Sequence, residues 1–514
     1  MARVYSNRLS EYTNENGGRV LLLFLLFALA IYEFVNAGFN AFAVICLSPL
    51  AIVACYIAFR WRMIVFWLLI VVNWFIMNRN FSIPFPKSLP DELLELTLIA
   101  IAIIDIRKEA YFGRVWNFML FAIMIWFGFC IIEIFNNTCG LGLNFNAWFS
   151  GARLLALHLV WILLVFSLYI SNPKSLITYL RLWACLSLFS AFWTWKMKTL
   201  GLTDAESAFL WGGAYRTHVL NGGTLIRYWS TFNDAATYGC NASASAIAFL
   251  IFGITSKFKI DKIFFFLTSV AVLWGMFQSG TRTAIVTFIA GFVVFLFLSK
   301  SLKIFIPSAI IGGIFLFILI FTNIGNGNQQ VRRMRSAFDK RDASANVRDV
   351  NKDAIAKYMK DAPWGIGIGM MAEEIPAWNK FNKLSTIPPD SEYVFIWVRT
   401  GIIGVTVFTI SMIMMLLGGC YIVLFRLKNP SLVGIGGGLC AAFVSIQLGG
   451  YANQILYQYP NGLTFFGAMV IVYVLPFIEP EWVKYEEGRL TKIEERKRIR
   501  KEIKLLPKVL DIED

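Results

Sequence analysis

VRRMRSAFDKR (331–341), NVRDVNKDAIAKYMKDAPWGIGIGMM (346–371) and IPPDSEYVFIWVRTGIIG (387–404) make up most of the longest polar interval of the chain, about Asn323 to Gly404. Apolar sequence flanks it on both sides. A polar insert of this length in a greasy chain lies at a surface or lines a cavity, because irregular backbone cannot face lipid. The interval therefore reads as the lid and part of the floor of a site. Within it, Val347, Val350, Ala354, Ile355 and Tyr358 recur at i, i+3, i+7, i+8 and i+11, which predicts an amphipathic helix stopped by Pro363. GIGIG (365–369) reads as flexible turn backbone rather than a phosphate loop, since no strand precedes it.

Outward from this interval, composition sets the class. The 514 residues are 58% hydrophobic and 15% charged, whereas a soluble domain carries about 25% charged residues. There are too few charges to cover a surface facing water, and the apolar runs match the thickness a membrane helix must cross. Spans are predicted near 20–36, 40–59, 63–77, 91–105, 115–135, 153–170, 175–195, 236–255, 263–278, 283–299, 304–323, 402–425, 431–452 and 461–478. The expected fold is an all-α polytopic transmembrane bundle of about 12–14 spans. It occupies 1–478 and includes outer loops 196–235 and 324–390, with 479–514 as a charged cytoplasmic tail. Short loops 60–62, 107–114, 171–174, 256–262, 300–303 and 426–430 each carry Lys or Arg, and 136–148 and 457–462 carry none. The positive-inside rule then puts the first group and the amino terminus in the cytoplasm. The amino-terminal segment shows no cleavable signal pattern. The tail alternates charge signs and reads as a solvated or membrane-surface helix, not a nucleic-acid arm. Eight cysteines without C-x-x-C spacing read as packing residues, and with only His158 and His218 a histidine-based zinc or di-iron site is not expected.

Three outward-facing places concentrate polar chemistry. RYWSTFND (227–234) presents Arg227, the tight turn SGTRTA (279–284) presents Arg282, and PPDSEY (388–393) presents Asp390 and Glu392. Guanidinium binds phosphate oxygens in a planar fork and stays protonated, so two arginines on one face suggest an anion site. Each arginine alone also fits a side chain snorkelling to lipid phosphate. PPDSEY equally fits an Asp or Ser cap on the following helix. Trp211, Tyr228, Trp229, Trp364 and Trp378 either stack on sugar faces or form an interfacial belt.

In their order and spacing RYWSTFND, SGTRTA, APWGIGIG (362–369) and DSEY…RTGIIG (390–404) resemble the successive signatures of the O-antigen ligase and O-antigen polymerase superfamily. These are bacterial envelope glycosyltransferases, and the likeness runs over roughly Tyr215 to Ile410. The resemblance implies a helical bundle with a large periplasmic loop closing over a cavity, like that of C-type glycosyltransferases, in the bacterial inner membrane. It implies a metal-independent transfer, with no cofactor, of a glycan from undecaprenyl pyrophosphate to a saccharide or saccharolipid acceptor in a setting of membrane lipid. Arg227 and Arg282 take the pyrophosphate in that scheme. Ligases of the family carry His-Asn eleven residues before the first Gly of x-G-x-x-G; here that place holds Asp390 and Ser391, which leans the reading toward polymerase. Glycosyl transfer needs a neutralised diphosphate leaving group and a proton acceptor for the sugar hydroxyl. Asp390 is the candidate base, with Glu392 in reserve. The competing class is a transporter or flippase of lipid-linked saccharides, which would carry charges deep in its spans; Glu33 and Arg181 are such positions. A peptidoglycan-type polymerase is a third and poorer match.

Overall fold

The computed structural model describes residues 56–81, 86–105, 111–220, 223–338 and 343–505, together with single positions before 56. The chain divides into two units, Met1–Val65 and Phe66–Asp514, and the second carries the site. Apart from those single positions and 56–59, the expected spans 20–36 and 40–59 lie outside the described residues, as do Glu33 and the last residues of the tail.

Every other expected span is a helix. In chain order the helices are α1 Arg62–Phe75, α2 Leu89–Asp105, α3 Phe118–Ile132, α4 Phe145–Tyr169 and α5 Pro173–Thr199. A short α6, Asp204–Trp211, precedes a ribbon of β1 Val219–Leu220 and β2 Leu225–Ile226. Then come α7 Ala235–Thr255, α8 Lys259–Gln278, α9 Arg282–Leu298, α10 Leu302–Phe321, α11 Gln329–Arg335 and α12 Ala343–Met359. The chain closes with α13 Glu392–Tyr421, α14 Pro430–Ala452 and α15 Gly467–Leu505. Among the described residues eight helical segments are long and apolar enough to cross a membrane, and α1, α9 and part of α10 are shorter apolar helices. The protein is thus an all-α multi-pass membrane protein. Of the fourteen expected spans, eight are these long segments, four are α1, α9, α10 and the 17-residue α2 with Asp91, Glu92 and Glu95, and two fall on residues that are mostly not described.

The core forms around α7, which packs on α8, α9 and α14. Glycines of α14 let it approach α7 closely: a Cβ on Gly438 would stand 2.7 Å from Phe252 and one on Gly449 3.2 Å from Cys240. Hydroxyls join the helices there: Ser243 Oγ donates to the Ala284 carbonyl at 2.7 Å and Ser445 Oγ to that of Thr287 at 2.7 Å. Asp234 caps α7, its Oδ1 accepting from the N–H groups of Ala236 and Thr237 at 2.6 and 2.9 Å.

Basic loops 256–262, 300–303 and 426–430 meet at one end, where Lys300 Nζ donates to the Leu427 carbonyl at 2.9 Å and Lys257 and Asn429 share Glu486. There Asp261 takes Arg181 at 2.7 Å and Arg489 at 2.8 Å, and Glu486 takes Lys257 at 2.6 Å. Arg181 is therefore a paired residue at that end, not a lone charge in a path.

At the other end α13 starts ten residues earlier than the expected span, because Ser391 caps it by accepting from the Tyr393 N–H at 3.2 Å. The helix breaks at Gly401 (φ 67°, ψ −173°). The break exposes the carbonyls of Val398 and Arg399, and the GIGIG loop supplies their donors: the N–H of Ile366 at 3.0 Å and of Gly367 at 2.9 Å. GIGIG is thus a close-packed wedge rather than a flexible turn. The face of α12 also differs from its expected periodicity. Ile355 and Met359 enter a buried cluster with Ile366, Phe381 and Val398, whereas Val347 and Val350 are exposed. The inward face is instead set by Arg348, Asn351 and Ile355, three and four residues apart, all of which line a cavity.

A Cβ added to Gly401 would stand 1.9 Å from the Pro363 carbonyl oxygen. Gly401→Ala should cost about 2 kcal/mol or more, whereas Val350→Ala on the exposed face should stay within about 0.5 kcal/mol. Thermal unfolding in detergent checks both, and equal midpoints for the two variants would contradict the role of the break.

Candidate functional site

A cavity of about 520 Å³ lies at the polar end, between the ribbon, the start of α9, the residues after α11, α12 and the end of α14. Arg216, Arg227, Arg282, Arg333 and Arg348 line it, and no carboxylate does among the described residues. The ribbon delivers Arg227: Val219 pairs with Ile226, and the Arg227 N–H donates to the His218 carbonyl at 2.8 Å. The Arg227 guanidinium is then held on three sides. Nη1 donates to the Thr217 carbonyl at 2.9 Å, Nε to that of Ser279 at 3.2 Å, and Nη2 to Thr281 Oγ1 at 3.1 Å. Two of the five N–H donors of a guanidinium remain for a ligand.

Gly280 lets the turn pass between two arginines. Its φ is +57°, and a Cβ there would lie 3.1 Å from Arg227 Cγ and 3.4 Å from Arg333 Nε. Arg333 Nε donates to the Gly280 carbonyl at 2.6 Å. Arg282 opens α9 with Nη1 at 3.4 Å from Ser336 Oγ, and Arg348 donates to Asn453 Oδ1 at 3.2 Å. Burial pulls the Arg333 pKa down to about 10, and the charges of Arg227 and Arg282 add to this. Burial lowers that of Arg227 too; Asp234 opposes the shift, and Arg282 and Arg348 add to it. A guanidinium keeps its proton at neutral pH, so the cavity holds like charges that an incoming anion would relieve.

Asp390 lines a second cavity of about 400 Å³ with Asn351, Lys352, Tyr393, Val394 and Trp397. Asn351 Nδ2 donates to Asp390 Oδ2 at 2.8 Å. Arg348, Tyr451 and Ala452 line both cavities. The structure therefore brings Arg227 and Arg282 together and sets Asp390 across a shared wall of side chains. Of the two capping alternatives it is Ser391 that caps α13, which leaves Asp390 on the cavity lining. Glu392 lines neither cavity: it is buried, and its Oε2 accepts from the Leu456 N–H at 3.0 Å, tying the loop after α14 to α13.

Several outer aromatics are committed elsewhere. Trp229 is fully buried against Phe209 and His218, and Trp364 stacks on Phe129 at 5.9 Å. Trp211 and Trp378 are exposed. Sequence reasoning missed Arg216, Arg348 and Asn351. The helical spacing of the last two with Ile355 was the signal that could have found them. Arg333 stands in the VRRMRSAFDKR stretch (331–341), whose Asp339, Lys340 and Arg341 lie outside the described residues.

Residues 264–409 match the family model described as O-antigen ligase. The match bears out the resemblance to the O-antigen ligase and polymerase superfamily, and it includes Arg282, Asp390 and Glu392 but not Arg227. A comparison with curated proteins gives no match.

His218 supports the Arg227 ribbon in its neutral form: Nε2 accepts from the Ala235 N–H at 3.2 Å, while Nδ1 lies 2.8 Å from Thr217 Oγ1. Burial, joined by the Arg227 charge, lowers its pKa from 6.5 to about 4. Above pH 6.5 both folded and unfolded chains hold it neutral. As the pH falls the unfolded chain takes the proton first, so stability is lost between about 6.5 and 4. His218→Gln should flatten the fall of the unfolding temperature across that window; parallel curves for variant and wild type would count against it.

Proposed function

We propose that the protein transfers a glycan from undecaprenyl pyrophosphate to an acceptor sugar hydroxyl at the periplasmic face of the bacterial inner membrane. The observation that carries this reading is the pair of adjoining cavities, one lined by five arginines and the other by Asp390. A guanidinium cluster without lining carboxylates suits a diphosphate, whose negative charge grows as it leaves. Arg227 and Arg282 grip it, and Arg333 and Arg348 add charge from the loop that closes over it. A polyprenyl tail reaches lipid from a site at the end of a membrane bundle.

The acceptor occupies the second cavity, where Trp397, Tyr393 and Tyr451 offer ring faces to a sugar. Its hydroxyl oxygen attacks the anomeric carbon, the carbon–oxygen bond to the diphosphate breaks, and the electron pair leaves on the diphosphate. Asp390 takes the hydroxyl proton, oriented by Asn351. Asp390 at the place where ligases of the family carry histidine favours a second lipid-linked glycan as acceptor, the polymerase reaction. Glu392 is given a structural part, because its carboxylate is spent on the backbone of the loop after α14.

Transfer from a purified undecaprenyl-pyrophosphate-linked glycan by the purified protein tests this directly. Arg282→Lys should lower the rate about 10²-fold, since an ammonium cannot reproduce the fork. Asp390→Asn should lower it about 10²- to 10⁴-fold with an unchanged unfolding temperature. Glu392→Gln should instead lower the unfolding temperature and leave the rate per folded molecule within about twofold. Full activity in Arg282→Lys or Asp390→Asn removes the assigned role, and movement of the donor across vesicles without transfer returns the transporter reading.

A further inference from the structure

Away from both cavities, α2 and α4 bring three ionisable side chains to one point inside the bundle. Asp91 and Glu95, four residues apart, share a face of α2. His158 approaches from α4, with Nε2 at 3.1 Å from Glu95 Oε1 and 3.6 Å from Asp91 Oδ2. A π turn over Arg153–Leu157 makes this possible. Its i to i+5 bonding brings positions five apart onto one face, so Arg153 meets Glu92 while His158 meets the other two.

Hydrogen bonding alone does not account for the cluster. Asp91 and Glu95 have no solvent exposure, yet Asp91 Oδ2 and Glu95 Oε2 have no hydrogen-bond partner. The single N–H of His158 Nε2 can serve one oxygen, and 3.6 Å to the other is too long for a hydrogen bond. Charge is also unbalanced: Arg153 answers Glu92, but two buried carboxylates face one imidazole that carries at most one positive charge. A buried, uncompensated carboxylate is costly.

The geometry points to a divalent transition-metal site of the zinc type, with Asp91, Glu95 and His158 as ligands. Tetrahedral bonds of about 2.0–2.1 Å set ligand atoms about 3.3 Å apart, and the two contacts of His158 Nε2 straddle that edge. One candidate donor atom from each residue lies within 4.8 Å of the others. Two carboxylates and a neutral imidazole then cancel the ion's charge. Asn73 Nδ2 donates to Asp91 Oδ1 at 2.9 Å, the outer hydrogen bond that orients a metal-bound carboxylate. Its own Oδ1 is buried without a partner. The ion would clasp α2 to α4, whose Gly151 abuts Ile368 of the loop that holds the broken helix. It is a structural site, separate from glycosyl transfer.

Elemental analysis of the full chain, purified in detergent from zinc-supplied cells without chelator, should find about one zinc per chain. The near-isosteric Asp91→Asn/Glu95→Gln double variant should lose at least about tenfold of it. In wild type stripped with a strong chelator, added zinc should raise the unfolding temperature by a few degrees, and it should not do so in the double variant. Wild-type zinc below about half an ion per chain after zinc exposure, unchanged content in the variant, or magnesium or calcium in its place would overturn the assignment. No arm of the experiment reads transfer activity, so its failure leaves the glycosyltransferase reading untouched.

Discussion

Backbone amides and carbonyls at the edge of a bilayer must find partners within the protein, and this constraint shapes the whole polar end. The loop 360–391 is irregular and meets it by docking on a helix that is itself interrupted. Gly401 opens α13, and the carbonyls of Val398 and Arg399 become acceptors for Ile366 and Gly367. Each irregularity supplies what the other lacks. The first turns of α13 are thereby fixed, with Asp390 immediately ahead of its cap. Arg399 adds a side-chain bond to the same loop, its Nη1 donating to the Ile368 carbonyl at 3.0 Å.

The arginine cavity follows a related logic with charge in place of hydrogen bonds. Guanidinium groups crowded in a half-dry pocket repel one another, and the fold holds them apart with carbonyls and hydroxyls rather than carboxylates. Ser279, Gly280 and Thr281 supply three of those contacts from a single turn. Neutral acceptors fix the position of the arginines without cancelling their charge, so the charge stays available to an anion.

Apolar periodicity and loop charge made the membrane class and most spans legible, because both are one-dimensional properties of the chain. Arg227 and Arg282 were legible because each sits in a short polar segment beside a helix start. The break at Gly401 was not, since glycine in an apolar helix has several uses and only the approach of Pro363 distinguishes them. Glu392 and Asp390 could not be told apart in the sequence, because adjacent residues at a helix start point in different directions; the structure puts Glu392 on the Leu456 amide and Asp390 on a cavity lining. The Asp91–Glu95–His158 cluster was hidden because its histidine comes from a second helix, and spacing along the chain shows only which residues share a face of one helix.

The partition between the two cavities consists of side chains, and Arg348 and Tyr451 belong to both. An occupant that draws Arg348 toward itself changes the charge and volume offered to its neighbour. Thermodynamic linkage makes that influence reciprocal: each guest alters the other's affinity by the same factor. Under the proposed function, cooperativity between donor and acceptor would then depend on the one helix position, Arg348, that lines both cavities.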